Sequence, residues 1–86
     1  MKATYSSLTN WYKKMFEKLG FMILAYNKGH DDQINNYINN LYLLKDSLME
    51  ALVEINDPDR KRDLKIMLDN LKILIEHVTE DFSEIS

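Results

Sequence analysis

The residues of this chain that could do chemistry form four small groups, and the first is His30-Asp31-Asp32. An imidazole beside two carboxylates resembles a fragment of a metal site, but a catalytic metal needs a fuller set of protein ligands. The only other histidine, His77, lies far along the chain at no ligand spacing, and the sequence has no cysteine. We therefore interpret this group as a helix start with a surface histidine, and we expect no metal and no cofactor.

The second group is a basic patch in the last third of the chain. Its members are Arg60, Lys61, Arg62 and Lys65. Such a patch can bind a phosphate group or an acidic partner. However, Asp57, Asp59 and Asp63 interleave with the cations, and the whole chain has a net charge of -3 rather than a strongly basic character. A solvated helix start is the favoured interpretation, and a nucleic-acid-associated protein is the alternative.

The third group is a run of asparagines, Asn35, Asn36, Asn39 and Asn40. Asparagine can recognise adenine in the major groove, but phosphate contacts supply most of the affinity for DNA, and this run has no basic flanks. We interpret it as a solvated helix face.

The fourth group combines aromatic and basic residues near the amino terminus. It consists of Tyr5, Trp11, Tyr12, Phe16, Lys13, Lys14 and Lys18. Aromatic residues beside lysines can bind a membrane surface, so a peripheral membrane binder is a further alternative. Because Trp11 and Tyr12 fall on or beside a predicted apolar stripe, a core role is favoured. No nucleophile-and-base arrangement and no glycine-rich phosphate loop is present, so we expect no enzyme.

Three apolar segments, separated by polar breaks at 27–32 and 56–59, must position these groups. Gly29 is typical of the residue after a helix end, and Pro58 is typical of the first helical turn. Helices are therefore predicted over about 8–28, 32–55 and 58–81. The first is expected to be capped by Ser6, Ser7, Thr9 or Asn10, and the second by Asp31 or Asp32.

Each predicted helix carries apolar residues three and four positions apart. The first stripe is Leu8, Tyr12, Met15, Leu19, Met22 and Tyr26, widened by Trp11, Phe16 and Ile23; the second is Ile34, Tyr37, Leu41, Leu44, Leu48, Ala51 and Ile55; the third is Leu64, Met67, Leu71, Leu74, Val78 and Phe82. Because the breaks are short, consecutive helices should be antiparallel neighbours. The 86 residues therefore predict one domain, an all-α, antiparallel (up-down-up) three-helix bundle with Leu41, Leu44, Leu48, Leu71 and Leu74 in its core.

Two features fall outside these stripes. Gly20 lies inside the first predicted helix, where we interpret it as a close helix–helix approach or neutral drift, with a kink or a ligand contact as the alternative. Five apolar residues lie off the main stripes: Tyr42, Leu43, Val53, Ile66 and Ile73. Since a three-helix bundle offers each helix one inward stripe, these five are the candidates for binding a protein partner or a second copy.

Three segments resemble short uncharacterised helical proteins of large double-stranded DNA viruses. They are 11–22 (WYKKMFEKLGFM), 57–64 (DPDRKRDL) and 74–78 (LIEHV). The resemblance implies no enzymatic activity and transfers no functional residue. It implies a virion component or a viral protein-interaction module.

The expected function is a small non-enzymatic protein-interaction module, with neither nucleic acid nor a membrane as the favoured partner. The absence of cysteine fits a reducing compartment, and the first residues lack the apolar core of a signal peptide. The run 21–26 is too short to span a bilayer. We therefore expect an intracellular or virion location.

Overall fold

A computed structural model describes residues 4–81, and within this range the chain forms three α-helices. They are α1 (Tyr5–Asn27), α2 (Asp31–Glu54) and α3 (Pro58–Asp81). The helices pack side by side in a body of 44 × 21 × 18 Å, and a helix of 24 residues, about 36 Å long, extends along most of its long axis. The predicted all-α three-helix bundle is confirmed. Phe82, predicted as the last member of the third stripe, lies outside the described residues.

The turn between α1 and α2 depends on Gly29, which has a φ of 77°. A residue without a Cβ adopts this left-handed conformation at little cost. The N–H of Gly29 donates to the carbonyl oxygen of Tyr26 at 3.1 Å, and the N–H of His30 donates to that of Ala25 at 2.9 Å. These two bonds form a Schellman motif, which satisfies carbonyl groups at the end of α1. The predicted stop at Gly29 is confirmed.

The turn between α2 and α3 is closed by Asp57. Its Oδ1 accepts hydrogen bonds from the N–H groups of Asp59, at 3.0 Å, and Arg60, at 3.5 Å. Pro58 occupies the first position of α3, where its missing N–H leaves no helical bond unmade. The side chain of Asp57 therefore satisfies the free N–H groups of the second and third residues of α3, and Pro58 has no N–H group to satisfy.

Helix α1 begins earlier than predicted, at Tyr5, with Thr4 as its N-cap. The Oγ1 of Thr4 accepts from the N–H of Ser7 at 3.1 Å, and the N–H of Thr4 donates to the Oγ of Ser7 at 2.9 Å. This reciprocal pair is a capping box with Ser7 at its third helical position. The predicted caps Ser6, Ser7, Thr9 and Asn10 are therefore wrong: all four lie within the helix.

The predicted cap of α2 is also wrong. His30 is the N-cap and makes no side-chain capping bond, while Asp31 and Asp32 lie in the first turn. Their carboxylates stabilise the helix through its dipole, which favours negative charge at the amino-terminal end.

The core lies along α2, which packs against both other helices, whereas α1 and α3 touch each other much less. Its fully buried side chains are Leu8, Ile34, Leu41, Leu44, Leu48, Leu64 and Leu71. Leu74 is also buried, so all five leucines predicted as core are confirmed. One polar group enters this interior: the Tyr37 hydroxyl donates to the carbonyl oxygen of Met15 at 2.6 Å. Burial raises the pKa of Tyr37 to about 12.

The stripe of α1 is narrower than predicted. Leu8, Met15 and Ala25 are buried, and Trp11 is half-buried against the core, but Phe16 and Ile23 are exposed. Because α1 packs mainly on α2 and little on α3, residues on its α3 side stay in contact with solvent. The expectation that Phe16 and Ile23 widen the buried stripe is therefore wrong.

Gly20 does not mark a close helix–helix approach. No atom of a neighbouring element lies within 4 Å of the position that a Cβ would take there, and α1 continues through it without interruption. The close-approach interpretation is wrong, and Gly20 is a glycine on the solvent side of a helix.

Candidate functional site

The metal-like group does not assemble. His30, Asp31 and Asp32 border a shallow hollow of about 430 Å³ at the first turn, whereas His77 lines a separate groove between α1 and α3. Among the residues that the structure describes, no cluster of three or more histidine, aspartate or glutamate side chains is placed to hold a metal ion.

Two of the four cations in the basic patch lie beside carboxylates of the same helix start. The Nε of Arg60 lies 3.8 Å from Oδ2 of Asp57, and Nη2 of Arg62 lies 3.7 Å from Oδ1 of Asp59. Successive helical residues point about 100° apart, so Arg60, Lys61 and Arg62 spread around α3 instead of sharing one face. Lys65 and the other three are exposed. This arrangement is that of a solvated helix start.

The four asparagines are exposed on α2, and two of them border α1. Asn36 and Asn40 line a groove of about 220 Å³ with Met15, Lys18 and Met22 of α1. The Nδ2 of Asn40 donates to the carbonyl oxygen of Asn36 at 3.0 Å, so this side chain is satisfied by its own helix.

The aromatic residues of the fourth group pack against the core, except for Phe16, which is exposed. The Tyr5 hydroxyl donates to Oδ2 of Asp63 at 2.9 Å, a bond that raises the pKa of Tyr5, and the Arg60 guanidinium lies 5.2 Å from the centre of the Tyr5 ring. The rings of Tyr12 and Phe16 have centroids 4.7 Å apart, and Tyr12 is half-buried against the core. These contacts tie α1 to α3 near the amino-terminal ends of both helices. In the part of the chain that the structure describes, no helix is long and apolar enough to span a membrane.

The five predicted partner-binding residues are all exposed: Tyr42 43%, Leu43 56%, Val53 84%, Ile66 53% and Ile73 54%. They do not form one patch. Tyr42 and Val53 lie on one edge of α2, Leu43 on its other edge, and the two isoleucines on α3.

Helix spacing and the grooves locate the two edges of α2. Leu43 comes seven residues after Asn36, which borders α1, so Leu43 lies on the α1 side. Tyr42 lies across the buried stripe from it, on the α3 side. Met49 follows Tyr42 by seven residues and precedes Val53 by four, and it is 46% exposed. Tyr42, Met49 and Val53 therefore form one exposed apolar row, which we call the α2 seam.

The isoleucines of α3 lie beside an apolar groove between α1 and α3. The groove has a volume of about 310 Å³ and is lined by Tyr12, Phe16, Asn70, Ile73, Leu74 and His77. Asn70 donates to the Tyr12 hydroxyl at 3.4 Å across its floor. Ile66, seven residues before Ile73, lies on the same face of α3. The groove exists because α1 and α3 pack less closely with each other than with α2.

Sequence reasoning assigned Phe16 to a buried stripe, whereas the structure exposes it, and it did not single out Met49 as a surface residue. The sequence did carry a signal for Met49, since this residue keeps heptad spacing with Tyr42.

Comparison of the chain with protein-family models, with curated proteins and with solved structures gave no match. Its function therefore has to be inferred from the surfaces of the bundle.

Proposed function

We propose that this protein is a small, non-enzymatic helical module that acts by binding other protein surfaces. One observation carries the proposal: apolar side chains outside the core are aligned in rows at helical spacing. The α2 seam is one such row, and Ile66 with Ile73 on α3 is another. Isolated exposed apolar residues are ordinary, but aligned ones form a continuous strip of the kind that helices bury against one another.

The charges of the surface support a protein partner over nucleic acid. Arg60 and Arg62 lie beside Asp57 and Asp59, so their charge is partly cancelled where a phosphate would bind. Tyr5, Trp11 and Tyr12 pack against the core, so these aromatic side chains are not free to enter a membrane surface beside the lysines of α1. The resemblance to short viral helical proteins is the reason to propose a virion or assembly role as the setting.

Affinity purification from the source cells or particles tests the proposal. Tagged wild-type protein and a Met49→Glu variant should be compared by quantitative mass spectrometry, because a charge in the middle of the α2 seam should remove the partners that bind it. Asn36→Glu, an exposed change on the α1 side of α2 and so away from the seam, is the matched control. If Met49→Glu and Ile73→Glu each retain every partner of the wild type, and purified wild type does not self-associate, then the proposed function is wrong.

A further inference from the structure

We infer that the outer face of α1 binds a membrane surface that carries anionic lipid headgroups. This face is the side of α1 opposite the buried Leu8 and Met15. It is distinct from Tyr5, Trp11 and Tyr12, which pack against the core, and from both apolar rows of the proposed function. Three properties of the face support the inference: its exposed apolar side chains, its surplus of lysines and its breadth.

The carboxyl-terminal half of α1 is apolar on its outer side as well as on its buried side. The chain has no charged residue between Lys18 and Lys28. Phe21 is 68% exposed, Leu24 55% and Ile23 49%. Apolar surface gains free energy when it leaves water, so this segment would be stabilised by an apolar phase.

Lysines flank this apolar segment at both ends. Lys13, Lys14 and Lys18 precede it, Lys28 follows it, and all four are exposed. Within residues 4–81, none of the four has an ion-pair partner. Glu17 is the only acidic residue of α1. The stem of a lysine can lie along apolar surface while its ammonium group reaches an anionic headgroup, which attracts it.

The surfaces beside α1 add no negative charge. Among the described residues, neither the lining of the groove between α1 and α2 nor that of the groove between α1 and α3 contains a carboxylate. Helix α2, by contrast, has five acidic residues and one lysine, and its first two, Asp31 and Asp32, lie beyond the end of α1. The basic side of a chain whose net charge is -3 is therefore the side that carries α1. An anionic surface would attract the molecule with α1 foremost.

The charges oppose a second copy of this chain on the same face. Lys14 and Lys28 lie seven residues before and after Phe21. An antiparallel copy centred on Phe21 would bring Lys14 of one chain against Lys28 of the other, and a parallel copy would set each lysine against its own counterpart. Such contacts between like charges disfavour the pair.

The breadth of the face favours a fluid lipid surface over a single partner helix. Ile23 and Leu24 are adjacent, so their side chains point about 100° apart, and Phe21 lies on the far side of Leu24. A partner helix buries a narrow stripe and would leave part of this set in water. A helix that lies in a membrane interface instead buries its apolar side about 5–10 Å deep.

Co-sedimentation with lipid vesicles tests the inference. Wild-type protein should bind vesicles of equal parts phosphatidylcholine and phosphatidylglycerol, and it should bind pure phosphatidylcholine much more weakly. Leu24→Glu should weaken binding to the anionic vesicles by about tenfold or more, because it places a charge in the apolar segment. Met49→Glu is the matched control, since Met49 is also about half exposed (46%, against 55% for Leu24) but lies on the α2 seam. A wild-type protein that does not bind the anionic vesicles would overturn the inference, while partner capture through the α2 seam would still decide the proposed function separately.

Charge changes test the role of the lysines. Lys13→Glu combined with Lys14→Glu should weaken binding to the anionic vesicles by about tenfold or more, and Glu17→Lys should strengthen it. Lys61→Glu combined with Lys65→Glu is the matched control, because it changes the net charge equally at exposed positions of α3. Equal weakening by the two double variants would overturn the inference, since net charge rather than this face would then govern binding.

A tryptophan on the outer face reports whether the face leaves water. Trp11 is the only tryptophan of the chain, so Phe21→Trp in a Trp11→Phe background gives a single fluorophore there. Its emission should move to shorter wavelength when anionic vesicles are added, whereas Tyr42→Trp in the same background, on α2, should show no such change. Equal shifts at the two positions would contradict the proposed orientation. If the vesicles leave both emissions unchanged and the α1 variants lose a protein partner instead, the face binds an acidic protein and the inference is wrong.

Discussion

The inner and outer faces of α3 share one spacing and differ in chemistry. Leu64, Leu71 and Val78 on the inner face are buried, whereas Ile66 and Ile73 on the outer face keep about half of their surface exposed. Side chains spaced alternately three and four residues apart therefore form both a buried row and an exposed row on the same helix. An unbroken apolar row makes a core, and two apolar residues set among charges make a solvent-exposed face.

The largest test of this difference is a pair of alanine substitutions two positions apart. Leu71→Ala should lower the free energy of unfolding by about 2–5 kcal/mol, because it empties a fully buried site. Ile73→Ala should lower it by less than about 0.5 kcal/mol, as expected of a surface position. Urea denaturation of both variants measures the two values.

Two adjacent leucines of α2, one buried and one exposed, allow the same comparison with a single residue type. Leu44 is fully buried and Leu43 is exposed, so alanine at Leu44 should reproduce the large loss and alanine at Leu43 the small one. Equal losses at the two sites would mean that the core described above is placed on the wrong face.

A smaller effect separates the two tyrosines of α2. Tyr37→Phe removes the buried hydrogen bond to Met15 and should cost about 0.5–1.5 kcal/mol, whereas Tyr42→Phe removes an exposed hydroxyl and should cost almost nothing. Equilibrium unfolding at neutral pH measures both.

The pKa of Tyr37 adds a pH dependence. Its value is about 12 in the fold against 10.0 for an unperturbed tyrosine, so above pH 10 the folded chain holds a proton that the unfolded chain releases. Stability should therefore fall as pH rises from about 10 to 12. Tyr37→Phe should flatten that fall and Tyr42→Phe should not; identical alkaline slopes in both variants would contradict the burial of Tyr37.

The smallest expected effect is a gain. Gly20→Ala should stabilise the protein by about 0.5–1 kcal/mol, because alanine loses less backbone entropy in a helix and its methyl group meets no neighbouring atom. Thermal unfolding followed by circular dichroism measures the change. A loss of stability would indicate that something covers the outer face of α1 at this residue.

Most of the fold could be predicted from the sequence, because apolar spacing and turn chemistry act locally. Gly29 and Pro58 fixed both breaks, and the leucine spacing of α2 identified its buried face. The residues that cap the helices were harder to predict. Thr4 and Ser7 form a reciprocal pair that competes with several other hydroxyl-bearing residues nearby, and the sequence does not rank such competitors.

The surfaces were less predictable than the core. The exposure of Ile66 and Ile73 follows from spacing, but the groove beside them depends on how far apart α1 and α3 pack, which is a tertiary property. For the same reason Phe16 was expected in the core: its position on α1 is apolar and suitably spaced, yet α3 does not come close enough to cover it.

The central position of α2 has a consequence for how the chain folds. Each short turn joins two helices that pack directly on each other, so either helical hairpin can form with little loss of chain entropy before its contacts are made. Proteins dominated by such local contacts fold in microseconds to milliseconds. We therefore expect a temperature-jump relaxation in that range. Folding would have two alternative routes, since either the α1–α2 hairpin or the α2–α3 hairpin can form first, and α2 belongs to both.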